Sequence, residues 1–321
     1  MLINCVAYQN GVKLADLPVE KISDYLERKD CFIWVALRDT TDAELDKMQE
    51  EFGLHDLAVE DARHGHQRPK IEEYGDTLFV VMHIVEAVDS ELTVGEISIF
   101  AGRNFILSVR NRSSRSLLGV RERCEREPDL LRLGSGFVLY ALMDAVVDLY
   151  FPVIGDLESQ LESIEERLFD KGTALANIEQ LYEFKRKVVV LKHAVTPMME
   201  ATGKLHGGRV PQVCGTTQDY FRDVYDHLAR INATIDAMRD TITTAILVSQ
   251  STVSIEQNVI NKQLAAWAAI FAIATVFTGI WGMNFRLMPE LQWEYGYPVA
   301  LLIIIAVCGF LYFHFKRSDW L

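Results

Sequence analysis

The sequence predicts an α+β membrane protein, with an N-terminal cytoplasmic α/β domain, a long stalk helix and two C-terminal transmembrane helices. Three observations predict this fold class. Strand-like runs fill roughly the first 120 residues, residues 216–281 contain no proline, and apolar stretches occupy 264–281 and 297–315. Each apolar stretch has about 18 or 19 residues, which is enough for a helix to cross roughly 30 Å of hydrocarbon. Because only about 15 residues separate them, we expect a helical hairpin in the membrane.

The α/β domain is expected to span residues 1–130. Its strand candidates are rich in β-branched residues or alternate between apolar and polar residues, and they lie at 31–37, 77–85, 95–100 and 104–109. The turn at Gly102 is expected to join the last two strands as a hairpin. Helical patterns at 19–28 and 42–52 lie among the strands, so we expect a mixed sheet with helices packed on it.

A helical domain is expected over residues 131–262. Its first segments, 136–151, 153–170 and 173–196, are predicted to end at Pro152, Gly172 and Pro197, respectively. The stretch 216–281 then predicts one helix of roughly 100 Å. Its apolar residues recur at steps of three and four, as in helices that assemble side by side. This apolar seam consists of Phe221, Val224, Leu228, Ile231, Ile235, Met238 and Ile242. We interpret the seam as an oligomerisation surface, and the helix as a lever that transmits motion to the membrane.

Composition limits the function. The formal net charge of −13 argues against nucleic acid as a partner, because phosphate binding needs a basic face, and it leaves soluble cations as plausible partners. The five cysteines are scattered without a C-x-x-C pair, which is typical of reduced residues in a cytoplasmic chain. No nucleotide-binding loop, nucleophile elbow or paired-carboxylate motif is present, so we do not expect an enzyme.

The expected topology is a multi-pass protein of the cell membrane with both termini in the cytoplasm. The first residues lack the pattern of a secretory signal, and Lys316 and Arg317 follow the second span, as the positive-inside rule requires for a cytoplasmic end. The expected segments are the first span at 263–281, an external loop at 282–296, the second span at 297–315 and a basic tail at 316–321.

Three sequence motifs together resemble the CorA family of magnesium channels. Gly282, Met283 and Asn284 end the first span, and the run 288–291 reads Met-Pro-Glu-Leu, like the outer pore mouth of that family. Glu60 and Asp61 followed by 66–70, and the segment 220–227, resemble its other signatures, so the resemblance covers nearly the whole chain. It implies a homopentamer whose first span lines a pore. It also implies that Mg²⁺ is both transported and regulatory. Co²⁺ and Ni²⁺, which are similar to Mg²⁺ in size and hydration, are alternative substrates that the sequence leaves open.

The pore chemistry can be argued from the ion. Mg²⁺ releases its water reluctantly, so a pore that passes it hydrated needs only acceptors for the bound water. A ring of Asn284 amide oxygens supplies them without a fixed charge; the alternative interpretation is that Asn284 caps the helix. Glu290 and Glu294 are expected to concentrate cations at the outer mouth.

Counting back from Asn284 at helical steps gives one candidate pore face: Thr275, Ala272, Ala268, Leu264, Asn261 and Asn258. The resemblance places Asn258 at a second polar ring and leaves Leu264 as the hydrophobic constriction. Asn261 and Ala272 replace bulky apolar residues that are usual in the family, so the sequence does not define the geometry of the gate.

Regulation is also implied by the resemblance, which places cytoplasmic Mg²⁺ between acidic residues of neighbouring subunits. Asp223 matches the family position on the long helix, and its partner is expected to be Glu86 or Asp89. The alternative is that Asp223 forms an ordinary surface pair with Arg222 or Arg230.

Two rival functions stay open. The first is zinc transport of the ZntB type, which shares the fold, although Met283 and the run 288–291 favour magnesium. The second is a non-conducting membrane-anchored sensor. Polar residues on one face of the first span argue against the sensor, because a helix that only anchors the chain in the membrane does not need them.

Overall fold

The computed structural model of the chain describes residues 1–28, 30–89, 91–168, 170, 173–207, 211–283, 288 and 293–321. The strands are β1 (Leu2–Gln9), β2 (Val12–Asp16), β3 (Cys31–Arg38), β4 (Lys70–Tyr74), β5 (Thr77–Val88), β6 (Glu91–Ala101) and β7 (Phe105–Asn111). The helices are α1 (Ile22–Leu26), α2 (Asp42–Phe52), α3 (Asp56–His64), α4 (Leu118–Glu125), α5 (Pro128–Leu131), α6 (Ser135–Asp148), α7 (Tyr150–Glu166), α8 (Ala174–Gly207), α9 (Gln218–Trp281) and α10 (Gly296–Arg317).

These elements form two compact units. The first comprises Met1–Glu166 and Glu179–Thr244, and the second comprises Arg167–Ile178 and Ala245–Leu321. Residues on both sides of the expected boundary at 130 therefore belong to the first unit.

One sheet organises the first unit, with the strand order β2-β1-β3-β7-β6-β5-β4. All neighbours are antiparallel except β3 and β7, which are parallel. The four predicted strands are confirmed as β3, β5, β6 and β7, and Gly102 lies in the hairpin turn, where its amide donates to the Phe105 carbonyl at 3.0 Å. The sequence prediction missed β1, β2 and β4; β2 and β4 have five residues each and no buried side chain.

Helices α1 to α3 pack on one face of the sheet. The predicted helix at 42–52 is confirmed as α2, which starts with a capping box between Thr41 and Glu44 and ends at Gly53. The φ of Gly53 is 62°, a left-handed conformation that glycine adopts without a side-chain clash. Phe52 stacks on Phe105 of β7 at 4.6 Å between ring centroids, which joins this helix to the sheet core.

The apolar seam of α9 is buried inside the chain. Each of its seven residues is at most 4% exposed, with Phe221 at 0%. The ring of Phe221 lies edge-on to Tyr140 of α6 at 6.4 Å, and Lys192 of α8 pairs with Asp236 of α9 at 2.8 Å. The interpretation of the seam as an oligomerisation surface is therefore wrong, because the helices of the same chain already cover it.

Two prolines do not end helices as predicted. Pro152 lies in the first turn of α7, where a missing N–H costs little because that group has no partner within the helix. Pro197 lies inside α8, where it removes one backbone hydrogen bond. Its neighbours Val195 and Met198 are fully buried, and this packing holds the helix together across the proline. Gly172, the third expected end, lies outside the described residues.

Three described helical stretches are long and apolar enough to span a membrane: Ser135–Glu166, Gln218–Trp281 and Gly296–Arg317. The most apolar window of the first is 67% buried inside the protein, whereas those of the other two are 11% and 0% buried. The stretch Ser135–Glu166 is therefore part of the core of the first unit. The C-terminal part of α9 and helix α10 are the membrane spans, in agreement with the sequence. They contact each other through Trp267 and Tyr312, whose ring centroids are 6.3 Å apart.

Candidate ion pathway and metal centre

The candidate pore face lies on the side of α9 that points away from α10. The contact side is marked by Ala266 and Ile270, which are buried, and the Ile270 carbonyl lies 3.8 Å from the Cys308 sulfur of α10. A helix turns by about 100° per residue, so the six candidate residues fall in a sector of about 120° centred roughly opposite that contact. All six are exposed in the single chain: Asn258, Asn261, Leu264, Ala268, Ala272 and Thr275.

The chemistry of this face changes along the helix. Asn258 and Asn261 provide amide groups at one end, and the hydroxyl of Thr275 lies towards the other. Thr275 donates its hydrogen to the Phe271 carbonyl at 2.8 Å, so its oxygen remains an acceptor for other donors. Between them lies the apolar side chain of Leu264, which is 64% exposed. The face therefore offers oxygen acceptors on both sides of an apolar position.

The C-terminal end of α9 lies just before the Gly-Met-Asn triplet. The amide of Gly282 donates to the Thr278 carbonyl at 2.9 Å, and that of Met283 donates to the Ile280 carbonyl at 3.3 Å. Asn284 and Glu290 lie outside the described residues, whereas Glu294 is exposed just before α10.

The helical count back from Asn284 needs a correction at its first step. In a continuous helix, the nine steps from Thr275 to Asn284 would place the two side chains about 180° apart. Because α9 ends at Trp281 and Asn284 lies outside the described residues, the candidate pore face is counted from Thr275.

A candidate metal centre lies in the first unit, where α6 meets α9. Ligand atoms of Asp144, Asp223 and His227 are all within 4.8 Å of one another. The Asp144 side chain is 8% exposed and accepts from Arg123 Nη2 at 2.9 Å. The Asp223 side chain is 55% exposed, and its Oδ1 lies 3.8 Å from His227 Nε2, one helical turn away. Two carboxylates and an imidazole can bind a divalent cation; the oxygens suit Mg²⁺, and the nitrogen also suits Co²⁺, Ni²⁺ and Zn²⁺.

The pKa values of nearby titratable groups reflect the negative charge around this centre. Burial, together with the charges of Asp144 and Asp223, raises the pKa of Tyr140 to about 12. Partial burial, together with the charge of Asp144, also raises the pKa of Asp148. Each shift disfavours a further negative charge, as expected where carboxylates repel one another. A bound cation would relieve that repulsion.

The expected partners of Asp223 have different environments. Glu86 is 5% exposed and accepts hydrogen bonds from the hydroxyl of Ser113, from that of Ser114 at 2.7 Å, and from the Arg115 amide at 3.4 Å. Burial alone would raise the pKa of Glu86, but these donors lower it overall. Its oxygens are thus already used within the chain. Asp89 is exposed, with a φ of 48° at the end of β5, and its carboxylate is the more accessible of the two.

The sequence analysis missed Asp144 and His227. Two signals point to them. Asp223 and His227 are four residues apart on one helix face, and Asp144 interrupts the otherwise apolar run of α6. Because an acidic residue on a buried helix is rare without a partner, this interruption is the stronger signal.

The comparisons agree with this architecture. The family model described as CorA-like Mg²⁺ transporter protein matches residues 29–317. The cobalt/magnesium transport protein CorA of Thermotoga maritima is 32% identical over 278 residues, covering 86% of this chain and 79% of that protein. The complete structure of the CorA magnesium transporter from Methanocaldococcus jannaschii has a TM-score of 0.79 at 19% identity and covers 100% of both chains.

A ZntB cytoplasmic domain from Vibrio parahaemolyticus matches with a TM-score of 0.60 at 13% identity, covering 80% of this chain and 98% of that domain. At such identity the likeness shows the fold alone. The family match covers the α/β unit, the long helix and both spans, and members of this family are transporters or channels rather than enzymes. The chain therefore belongs to the CorA-like Mg²⁺ transporter family.

Proposed function

We propose that the chain forms a channel for hydrated Mg²⁺, with Co²⁺ and Ni²⁺ as further substrates, in which several copies surround a pore lined by α9. Five copies are expected from the family resemblance, with both termini in the cytoplasm. The observation that carries the proposal is the exposed face of α9, which presents two asparagines and a threonine opposite the α10 contact. Polar side chains on a membrane span normally face protein or a water-filled cavity rather than lipid.

Transport in this proposal relies on contacts to ion-bound water. Asn284 at the outer mouth, Thr275 within the span and Asn258 towards the inner end accept hydrogen bonds from the hydration shell. Neutral amides bind a dication less tightly than carboxylates, so the ion can leave as well as enter. Leu264 supplies the apolar constriction, while Glu290 and Glu294 raise the local cation concentration.

Closure in this proposal depends on the metal centre of Asp144, Asp223 and His227. A cytoplasmic cation bound there neutralises the two carboxylates and favours the closed assembly, which it binds more tightly than the open one. Asp89 of a neighbouring copy is the better candidate for an additional ligand, because Glu86 is already hydrogen-bonded within its own chain.

Flux into liposomes containing the purified protein tests the proposal, with Mg²⁺, Co²⁺, Ni²⁺ and Zn²⁺ compared directly. A matched pair of variants tests the pore face. Ala272→Cys lies on it, whereas Ala274→Cys lies on the α10 side. A charged thiol reagent should block flux through the first variant and leave the second and the parent chain unchanged. Equal block of both variants would show that the proposed face does not line the path.

Zinc transport is the second candidate, favoured by the imidazole of His227 in the metal centre. A higher flux for Zn²⁺ than for Mg²⁺ in the same liposomes would select it. Absence of flux for all four ions would instead favour a non-conducting sensor.

A further inference from the structure

A second site candidate, unrelated to the ion path, lies in the first unit on the sheet face opposite α2 and α3. The strand register creates it. Asn4, Ala36 and Ser108 form one row across β1, β3 and β7, and Arg38 and Arg110 form the next row on the same face. Because the middle of the first row has only small side chains, space remains above it. The result is a cavity of about 150 Å³, roughly ten times the volume that one water molecule needs on the same measure.

The lining of this cavity carries unused hydrogen-bonding atoms. Arg110 Nη1 and Trp34 Nε1 are buried donors that have no hydrogen-bond partner in the described parts of the chain. Asn4 Oδ1 is a buried acceptor that likewise has no hydrogen-bond partner there. Arg110 is 9% exposed and Trp34 is 2% exposed. A native protein rarely leaves one such atom unpaired, and here three line the same cavity.

The charges point to an anion. The lining contains Arg38, Arg110 and Arg121 and no carboxylate. Arg38 pairs with Asp39 at 3.2 Å and Arg121 pairs with Glu125 at 2.8 Å, whereas Arg110 has no ion pair within the described residues. Burial and the charge of Arg38 lower the pKa of Arg110 by more than the charges of Asp39 and Glu86 raise it. Water in the cavity would supply acceptors for Arg110 without neutralising its charge, and a buried unpaired charge is costly.

The donor and acceptor set identifies the class of anion. Two N–H donors suit two oxygens of a tetrahedral oxyanion, and a guanidinium is the group that best matches phosphate. Asn4 Oδ1 needs a donor in return, which a protonated phosphate has and sulfate lacks at neutral pH. We propose that this cavity binds a phosphate group, of inorganic phosphate or of a small phosphomonoester, through Arg110, Trp34 and Asn4.

Thermal unfolding and calorimetric titration of the full chain in detergent test the proposal, in the absence of divalent cations. The probes are sodium phosphate, glycerol phosphate and sodium sulfate, each compared with sodium chloride at equal ionic strength. Phosphate should raise the unfolding midpoint and sulfate should bind more weakly. Tighter binding of glycerol phosphate than of inorganic phosphate would assign the ligand to the phosphomonoesters, and the reverse order would assign it to inorganic phosphate.

Variants separate a ligand site from a structural role. Arg110→Met should weaken phosphate binding about 10- to 100-fold, because a charge-assisted hydrogen bond is lost. Its unfolding midpoint without phosphate should equal or exceed that of the parent chain, because an unpaired buried charge is removed. Arg103→Met is the matched control, since Arg103 is exposed in the turn before β7, away from the cavity.

Asn4→Asp provides an independent test if Arg110→Met does not fold. It adds a built-in carboxylate for Arg110 with little change in shape, and should abolish phosphate binding while the chain remains folded. The proposal is overturned if the parent chain shows no phosphate-specific shift at about 10 mM, roughly tenfold above the 1 mM dissociation constant that corresponds to about 4.1 kcal/mol of binding free energy. Parent-level affinity in either Arg110→Met or Asn4→Asp would overturn it as well.

Discussion

Replacing Asp223 with lysine tests the proposed metal centre, because it places a fixed positive charge where the cation would bind. In the parent chain, Asp144 and Asp223 have carboxylate oxygens within 4.8 Å of each other. The new ammonium would replace the negative charge of Asp223 beside Asp144, which already pairs with Arg123, and so remove the repulsion without an ion. We therefore expect closure to become independent of Mg²⁺ in this variant.

The size of the effect follows from the geometry. Two like charges 4.8 Å apart repel by about 1 kcal/mol in water and about 3 kcal/mol at an effective dielectric constant of 20. The lower value applies here, because the Asp223 side chain is 55% exposed. Five copies, the number proposed for the assembly, would contribute about 4 kcal/mol, compared with the roughly 5.5 kcal/mol needed to move a two-state equilibrium from 1:99 to 99:1. Relief of this repulsion shifts the equilibrium only as far as the cation binds the closed assembly more tightly than the open one, so this value is an upper bound on its contribution to closure.

Limited proteolysis of the oligomer across a Mg²⁺ titration measures the effect. Protection should rise with Mg²⁺ in the parent chain and should be high and flat in Asp223→Lys. Asp226→Lys is the matched control, because it makes the same charge change on α9 at a side chain that is 63% exposed and outside the metal centre. It should behave like the parent chain. If Asp223→Lys keeps the parent's dependence on Mg²⁺, the reasoning is refuted and Asp223 is only a surface acid.

Four further outcomes are expected. Asn284→Ala should abolish liposome flux while size-exclusion chromatography still shows the oligomer; parent-level flux would contradict its pore role. Neutralising Glu290 and Glu294 together should reduce flux mainly at low ionic strength, and an equal loss in high salt would rule out electrostatic attraction. Ile231→Ala should destabilise the first unit by about 2–5 kcal/mol in chemical unfolding, because it opens a cavity in the buried seam. Burial raises the pKa of Glu96 above its usual 4.5, so the native state binds the proton more tightly and stability falls as pH rises from 4.5 through the raised value. Glu96→Gln should flatten that slope in thermal scans at pH 5 and 7.5, and an unchanged slope would exclude Glu96 as its source.

Local signals in the sequence predicted much of the fold. Alternating runs predicted β3, β5, β6 and β7. The helix at 42–52 was also predicted correctly, and its capping residues Thr41 and Glu44 are a further sequence signal for where it starts. The sequence did not predict the short strands β2 and β4, because they have no buried residue and so lack the apolar alternation that is typical of a strand.

The candidate site likewise contains some residues that the sequence predicted and others that only the tertiary structure identified. The candidate face of the first span follows from helical periodicity alone: the sequence predicts that its six residues share one side of the helix, and their role in a pore stays a prediction. The partners of Asp223 depend instead on how α6 packs against α9, and spacing along the chain does not record that contact. The same holds for Glu86, which looks available in the sequence but is surrounded by Ser113, Ser114 and the Arg115 amide.

The sequence by itself determined the membrane spans, the long helix and the family motifs, because length, hydropathy and helical period are properties of neighbouring residues. Only the tertiary structure decided that the apolar seam of α9 serves the chain's own core, since a heptad pattern is the same whether its partner helix belongs to the same chain or to another. It also decided which acids meet at the candidate metal centre, and which buried arginine has no ion pair among the residues that the structure describes. Those outcomes depend on residues distant in the sequence, whose desolvation and pairing are set only when the layers pack.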